Sequence, residues 1–326
     1  MSGHHHHDDE HHAHDEKEGG HARHHHGAGG HVHAPANFGR AFAIGIALNA
    51  AYVLAEAFYG VAAHSLALLA DAGHNLGDVL GLLAAWGASV LSKRSPSGRY
   101  TYGLRRSSIL AALSNAVVLL VVTGGIAWEG IRRLIDPEPA AGATIMIVAA
   151  VGIAVNGITA YLFMSGRKSD LNIKGAFLHM ASDALVALGV VIAGGLILWT
   201  GWHWLDPAIS LVISVAIVVG TWSLLRDSVN LSLDAIPEGI DPHAVEASLK
   251  ELPGVTEVHD LHIWGLSTTD TALTAHLVRL DPANDDDLLH LAVETMRDRF
   301  EIGHATLQLE TQAMADLCKL RSAEVV

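Results

Sequence analysis

Six stretches of this chain, at 38–61, 65–91, 107–128, 142–164, 175–200 and 205–225, are nearly unbroken apolar sequence. An α-helix rises about 1.5 Å per residue, so roughly twenty such residues cross a hydrocarbon layer of about 30 Å. Lipid offers no water to the backbone, and a segment of this kind crosses it only with its own hydrogen bonds closed, which makes each stretch a helix. Composition agrees: 50% of the 326 residues are hydrophobic and only 17% are Asp, Glu, Lys or Arg, a charged fraction low for a soluble domain. Gly81, Gly87, Gly124, Gly125, Gly189 and Gly194 permit close approach of helix backbones. The expected fold is an all-α six-helix transmembrane bundle, an integral multi-pass membrane protein.

Basic residues set the orientation. Lys93, Arg94, Arg99, Arg105 and Arg106 lie between the second and third spans, Arg167, Lys168 and Lys174 between the fourth and fifth, and Arg226 follows the sixth. The opposite face has only Arg132 and Arg133. The positive-inside rule then places both termini in the cytoplasm, and no apolar signal segment precedes position 38. A bacterial inner membrane is the expected host. The net charge of −14 argues against nucleic acid as a partner. The single cysteine, Cys318, excludes an internal disulfide framework and a multi-thiolate site within one chain.

The rest of the chain divides into a His-rich cytoplasmic tail at 1–36, the bundle at 37–230, a small cytoplasmic α+β domain at 231–313 and a C-terminal tail at 314–326. In the small domain DPHAVEASLKELPG (241–254) reads as a short helix with Pro at its start. VTEVHDLHIWGL (255–266) and DTALTAHLVRL (270–280) alternate as strands, DDDLLHLAVETMRDRF (285–300) reads as a helix and HATLQLE (304–310) as a third strand. The order αββαβ predicts a helical layer on one sheet. The first 33 residues hold 13 of the 23 histidines among Asp and Glu. Such a segment buries too little to fold. An affinity tag is the plain alternative, but the interruptions DDE, HAHDEKE and HARHHH favour a native, metal-collecting tail.

Polar residues inside the spans carry the chemistry. HNLGD at 74–78 and HMASD at 179–183 each place a histidine and an aspartate four residues apart in apolar sequence. A carboxylate at the bilayer centre costs roughly 2.5–3.5 kcal/mol on insertion scales, so both need compensation. Residues i and i+4 share a helix face, and each pair offers one nitrogen and one oxygen to one point. By length, Asp78 lies 13 residues, about 20 Å, beyond Ser65, and Asp183 lies 9 residues, about 14 Å, beyond Lys174 on the opposite side. In a layer of about 30 Å the two pairs meet.

His74, Asp78, His179 and Asp183 thus form an N₂O₂ set suited to Zn²⁺, with Co²⁺, Cd²⁺ and Ni²⁺ as further candidates. Mg²⁺ and Ca²⁺ want larger all-oxygen shells. The charge of a loaded zinc site sums to zero, and without metal the same atoms take protons, which is the basis for exchanging metal against protons. Interhelical hydrogen bonding alone is the plain reading of one such pair and accounts poorly for two at matching depth. Asp71 shares the stripe of His74 and Asp78, as a proton relay or facing water; Glu56, Asn49 and Asn156 read as packing residues. An intramembrane metalloenzyme would want the Glu of HExxH, absent from both motifs. A membrane-anchored metal sensor would not need ligands at mid-bilayer.

Six helices, HNLGD, HMASD, a His-rich terminus, VHDLHIW and HATLQLE together resemble the cation diffusion facilitators, in particular the zinc-exporting branch with two HxxxD motifs. The resemblance covers about residues 38–312. It implies a homodimer, not an enzyme but a secondary transporter, that exchanges cytoplasmic Zn²⁺ for protons by alternating access, with His74, Asp78, His179 and Asp183 as the transport site in each protomer. It further implies zinc near the interface of the cytoplasmic domains, at positions matching His259, His276 and Glu310, with His304 beside a place where some relatives carry a ligand. Strict alternation would put His259 on one face with Leu261 and Ile263 and turn His262 away. Cys318 lies eight residues past Glu310, as a further ligand or an inert thiol. The loop SKRSPSGRYTYG lacks His, Asp, Glu and Cys, so no metal is expected where some relatives bind one.

Overall fold

A computed structural model of the protein describes residues 40–92, 95–163, 171–280 and 285–318. The His-rich tail, the basic residues Lys93, Arg94, Arg167 and Lys168, and the last eight residues lie outside them.

Six long helices form the first part: α1 (Arg40–Ala62), α2 (Leu66–Ser92), α3 (Ser107–Ile135), α4 (Gly142–Phe163), α5 (Leu171–Thr200) and α6 (Leu205–Ser232). Four helical stretches, Ser107–Ile135, Gly142–Tyr161, Phe177–Thr200 and Leu205–Ser232, are long and apolar enough to cross a membrane, and Ala47–Ala62 is a shorter apolar helix. In α2 the apolar run is broken by Asp71, His74, Asn75 and Asp78. The fifth helix starts four residues earlier than its apolar run, and the sixth continues seven residues past Leu225, because helical hydrogen bonding outlasts the hydrophobic stretch that sequence reveals.

Helices α4 and α5 lie backbone to backbone. A Cβ on Gly194 would sit 2.9 Å from the Gly142 carbonyl oxygen and the Met146 nitrogen, and one on Gly142 would sit 2.8 Å from the Gly194 carbonyl oxygen. Only glycine fits at this crossing. The bundle core joins Tyr52, Leu68, Ile145, Val148, Val190 and Ile213, with Tyr52 at the middle of its helix and the others in the halves remote from the small domain. At that far end Asp206, on the first turn of α6, accepts from Ser65 Oγ (2.5 Å) and from the Leu66 and Ala67 amides (2.7 and 3.3 Å). A buried carboxylate from α6 therefore caps α2, satisfying amides that a helix start leaves without intrahelical partners.

The small domain contains α7 (Pro242–Lys250), β1 (Val255–Gly265), β2 (Thr271–Arg279), α8 (Asp285–Phe300), β3 (His304–Thr311) and a last turn of helix, α9 (Gln312–Ala315). The strands run β1-β2-β3, with β1 antiparallel and β3 parallel to β2. Asp241 accepts from the His243 amide at 2.9 Å and Pro242 opens α7, a favourable pairing because proline has no amide to orphan. One sheet face, with Val258, Ile263, Leu273 and Leu277, packs on Leu249 and Met296 of the two helices. The αββαβ order matches the expectation.

The segment before α3 rests on this domain. Arg106 pairs with Asp234, Arg105 with Asp270 at 3.5 Å, the Thr268 amide donates to Ser108 Oγ at 3.1 Å, and Tyr102 packs edge-on against His304 with ring centroids 5.5 Å apart.

Candidate functional site

Helix α2 carries His74 and Asp78 one turn apart, and α5 carries His179 and Asp183 likewise. The two pairs meet. His74 Nε2 lies 3.4 Å from Asp183 Oδ1 and 3.8 Å from Asp78 Oδ2. His179 Nε2 lies 3.1 Å from Asp78 Oδ2 and 3.6 Å from Asp183 Oδ2. The imidazoles are edge to face with centroids 5.9 Å apart. Asp183 is buried and the other three are half-buried.

These distances test the fit of a divalent ion. With bonds of about 2.0–2.2 Å, neighbouring donors of a tetrahedral zinc site stand roughly 3.3–3.6 Å apart. The observed 3.1–3.8 Å brackets that range. Atoms of Asp78, His179 and Asp183 all lie within 4.8 Å of one another, with His74 Nε2 within reach of both carboxylates. Asp78 Oδ2, His179 Nε2 and Asp183 Oδ2 are buried without a hydrogen-bond partner, which is unfavourable for charged groups unless a cation or shared protons satisfy them. Depth agrees too. Asp78 is 14 residues from the Ser92 end of α2, and Asp183 is 12 from the Leu171 start of α5, or about 21 and 18 Å along the two helices.

Beside the site lies a second polar layer. Tyr52 donates to Glu56 Oε1 at 2.7 Å and Asn75 donates to Glu56 Oε2 at 3.4 Å, joining α1 to α2. Asp71 is buried, with Oδ1 unpartnered, so it does not face water. Asn156 is also buried.

A second cluster forms in the small domain. Atoms of His259, His276, Glu310 and Cys318 lie within 4.8 Å of one another. His259 Nε2 is 3.3 Å from Glu310 Oε2, and His276 Nδ1 is 3.1 Å from Glu310 Oε1. Two expectations are corrected here. His304 is not brought in: it starts β3, six residues or about 20 Å from Glu310 along an extended strand, and packs on Tyr102 instead. The fourth residue of the cluster among those described is Cys318. Nor does alternation hold through VHDLH. His259 pairs with His276 and His262 with Thr274, so three steps on β1 match two on β2, and Asp260 takes φ +50°. This bulge puts His259 and His262 on the same face, away from Val258 and Ile263. Asp260 thereby reaches both His262 Nε2 (2.9 Å) and His276 Nε2 (3.5 Å).

Residues 42–231 match the cation efflux transmembrane domain, and residues 237–312 match the cytoplasmic domain of cation efflux proteins. The chain belongs to the cation efflux family. Among its relatives in that family, the metal cation efflux system protein CzcD of Cupriavidus metallidurans is 37% identical over 86% of this chain and 90% of its own length. The zinc transporter ZitB of Escherichia coli is 37% identical over 83% of this chain and 86% of its own. The cadmium, cobalt and zinc/H(+)-K(+) antiporter of Bacillus subtilis is 32% identical over 87% and 93%. The metal-bound C-terminal domain of a CzcD transporter, a solved structure, is 35% identical over 22% of this chain and 99% of its own, with a TM-score of 0.21. This cation efflux protein is a multi-pass membrane transporter of metal cations, not an enzyme. Its second match, to a dimerisation domain, marks it as a homodimer.

Proposed function

We propose that this protein exports zinc from the cytoplasm across a bacterial inner membrane, exchanging Zn²⁺ for protons by alternating access at His74, Asp78, His179 and Asp183. The convergence of the two His–Asp pairs, with their unpartnered buried atoms, carries this reading. Zinc is favoured because nitrogen and carboxylate donors in a four-coordinate set suit it, and ZitB is named for it. Co²⁺, Cd²⁺ and Ni²⁺ are secondary substrates.

The coupling to protons follows from charge. With metal held, two carboxylates balance the ion. Without it, two protonated imidazoles facing Asp183 and Asp78 at 3.4 and 3.1 Å leave the site neutral again. One Zn²⁺ and two protons are therefore electrically equivalent occupants, while a site holding neither would bury two bare carboxylates in lipid. Both termini face the cytoplasm, and the small domains pair in the homodimer and hold metal through His259, His276 and Glu310. The tail at 1–36 collects metal ahead of the bundle.

Access supports one direction of opening. Buried apolar residues gather on the side of the site far from the small domain, and three of the four ligands stay half-buried. We read this as a site sealed on the far side, with the cytoplasmic side as its approach. The test is flux in proteoliposomes: Asp78→Ala and Asp183→Ala each abolish metal uptake while the dimer remains intact, and undiminished flux in both removes the assignment.

A further inference from the structure

We propose that Glu56 and Asp71 form a proton-holding site, two buried carboxyl groups that share one proton and pass protons from the far side of the membrane to the transport site. This rests on the proton exchange proposed above and adds to it a site outside the four metal ligands.

Position comes first. The ends of α1 and α2 remote from the small domain are Ala62 and Leu66. Glu56 stands six residues from the one and Asp71 five from the other, or about 9 and 8 Å in along the helices. His74 follows at eight residues from Leu66, about 12 Å in, and Asp78 lies deeper. The pair therefore sits between the far surface and the metal ligands, in the half of the bundle that Leu68, Ile145 and Val148 close. Glu56 is 0% exposed and Asp71 1%. A metal ion would have to part this packing, whereas a proton needs only a succession of groups that bind it, the usual use of carboxyl groups inside a membrane.

The chemistry follows from the contact. Glu56 and Asp71 lie within hydrogen-bonding reach of each other, yet two ionised carboxylates have only acceptors to offer. One proton between them makes the bond and removes the repulsion of two like charges away from water. A single negative charge remains, and Glu56 has donors to answer it: Tyr52 Oη at 2.7 Å and Asn75 Nδ2 at 3.4 Å. Tyr52 is fixed in turn by α4. Its hydroxyl lies 3.4 Å from the Val148 carbonyl oxygen, and a Cβ on Gly152 would collide with it. Asp71 Oδ1 has no partner at all, although Asp71 shares a helix face with His74 three residues on. An unpaired buried carboxyl oxygen is a costly way to pack two helices and calls for another use.

The ionisable groups acting on the pair are Tyr52 from α1, His74 and Asp78 from α2, and Asp183 from α5. Helix α6 brings Asp206 to the same end of α2, where Ser65 and the Leu66 and Ala67 amides hold it. The step they allow is a balanced one. The pair gives up its shared proton toward the ligand side, and a proton from the far side replaces it. One proton enters for each proton handed on, so the pair returns to one proton and one negative charge. The apolar packing thus closes the far half to metal while leaving a route for protons.

Infrared spectra of the full-length protein in lipid, and two fluxes in proteoliposomes, test this. A protonated carboxyl group has a carbonyl stretch distinct from that of a carboxylate, and an ordinary Asp or Glu is ionised at about pH 7. At that pH, wild type minus Glu56→Gln and wild type minus Asp71→Asn should each contain a carboxylic acid component. Zinc uptake driven by a proton gradient should fall at least about tenfold in both variants. Exchange of labelled for unlabelled zinc, which takes no proton from the far side, should be unchanged and shows that each variant is folded. Lack of the carboxylic acid component from either difference overturns the proposal, as does undiminished proton-driven uptake. An equal fall in both fluxes also overturns it, being what a packing role gives. Failure of the transport reading looks different: wild type itself would then move zinc with no proton movement, which removes that reading and this route with it.

Discussion

Asp183→Asn isolates the charge of the membrane site with almost no change of shape. Asp183 is buried, with its oxygens 3.4 and 3.6 Å from His74 and His179. The amide keeps one oxygen donor but removes a negative charge, so a loaded site passes from neutral to a net single positive charge. An uncompensated charge near mid-bilayer costs roughly 2.5–3.5 kcal/mol. At 1.4 kcal/mol per factor of ten, zinc should bind roughly 60- to 300-fold more weakly. Competition with a chelating dye measures this on purified dimers, in a His259→Ala, His276→Ala background so that the cytoplasmic cluster does not report. The metal-free fold should be unharmed, since the substitution removes a buried carboxylate with an unpartnered oxygen; size exclusion checks it. Affinity within threefold of the parent would refute the charge argument.

Metal uptake should weaken as the loading side is acidified, because a protonated imidazole cannot ligate. A rate flat from about pH 8 to about 5.5 contradicts direct competition of protons and metal for the imidazoles. His74→Asp makes an NO₃ donor set with one more negative charge and should carry relatively more Cd²⁺; an unchanged zinc-to-cadmium flux ratio would mean that donor type does not select the metal. Asp206→Ala strands Ser65 Oγ and the Leu66 and Ala67 amides; an orphaned buried donor costs about 1–3 kcal/mol, so the thermal unfolding midpoint in detergent should drop, and an unmoved midpoint would show that α2 does not depend on this cap.

The bundle was legible because long apolar runs have one structural outcome in lipid, and HNLGD and HMASD were legible because a four-residue spacing fixes a shared helix face. What failed was parity in VHDLH. Alternation assumes an unbroken ladder, and the residue that breaks it, Asp260, carries nothing in its local sequence to announce a left-handed turn. The exchange of His304 for Cys318 had the same cause at longer range: strand length carries His304 away from Glu310, while α9 folds Cys318 back. Asp206 was missed because an aspartate at the mouth of a span reads as water-facing; only the packing of α6 on α2 makes it a cap. The polar layer of Tyr52, Glu56 and Asn75 was visible as residues but not as a connected group, since its members come from two helices.

The central claim is that metal and protons occupy the same four side chains in turn. Reconstituted vesicles with an internal pH dye, offered Zn²⁺, Co²⁺, Cd²⁺, Ni²⁺ and Mg²⁺ in turn, measure it directly. Zinc entry should drive proton exit in a fixed ratio, Mg²⁺ should drive none, and Asp78→Ala should stop both fluxes together. Zinc entry with no accompanying proton movement would contradict the account.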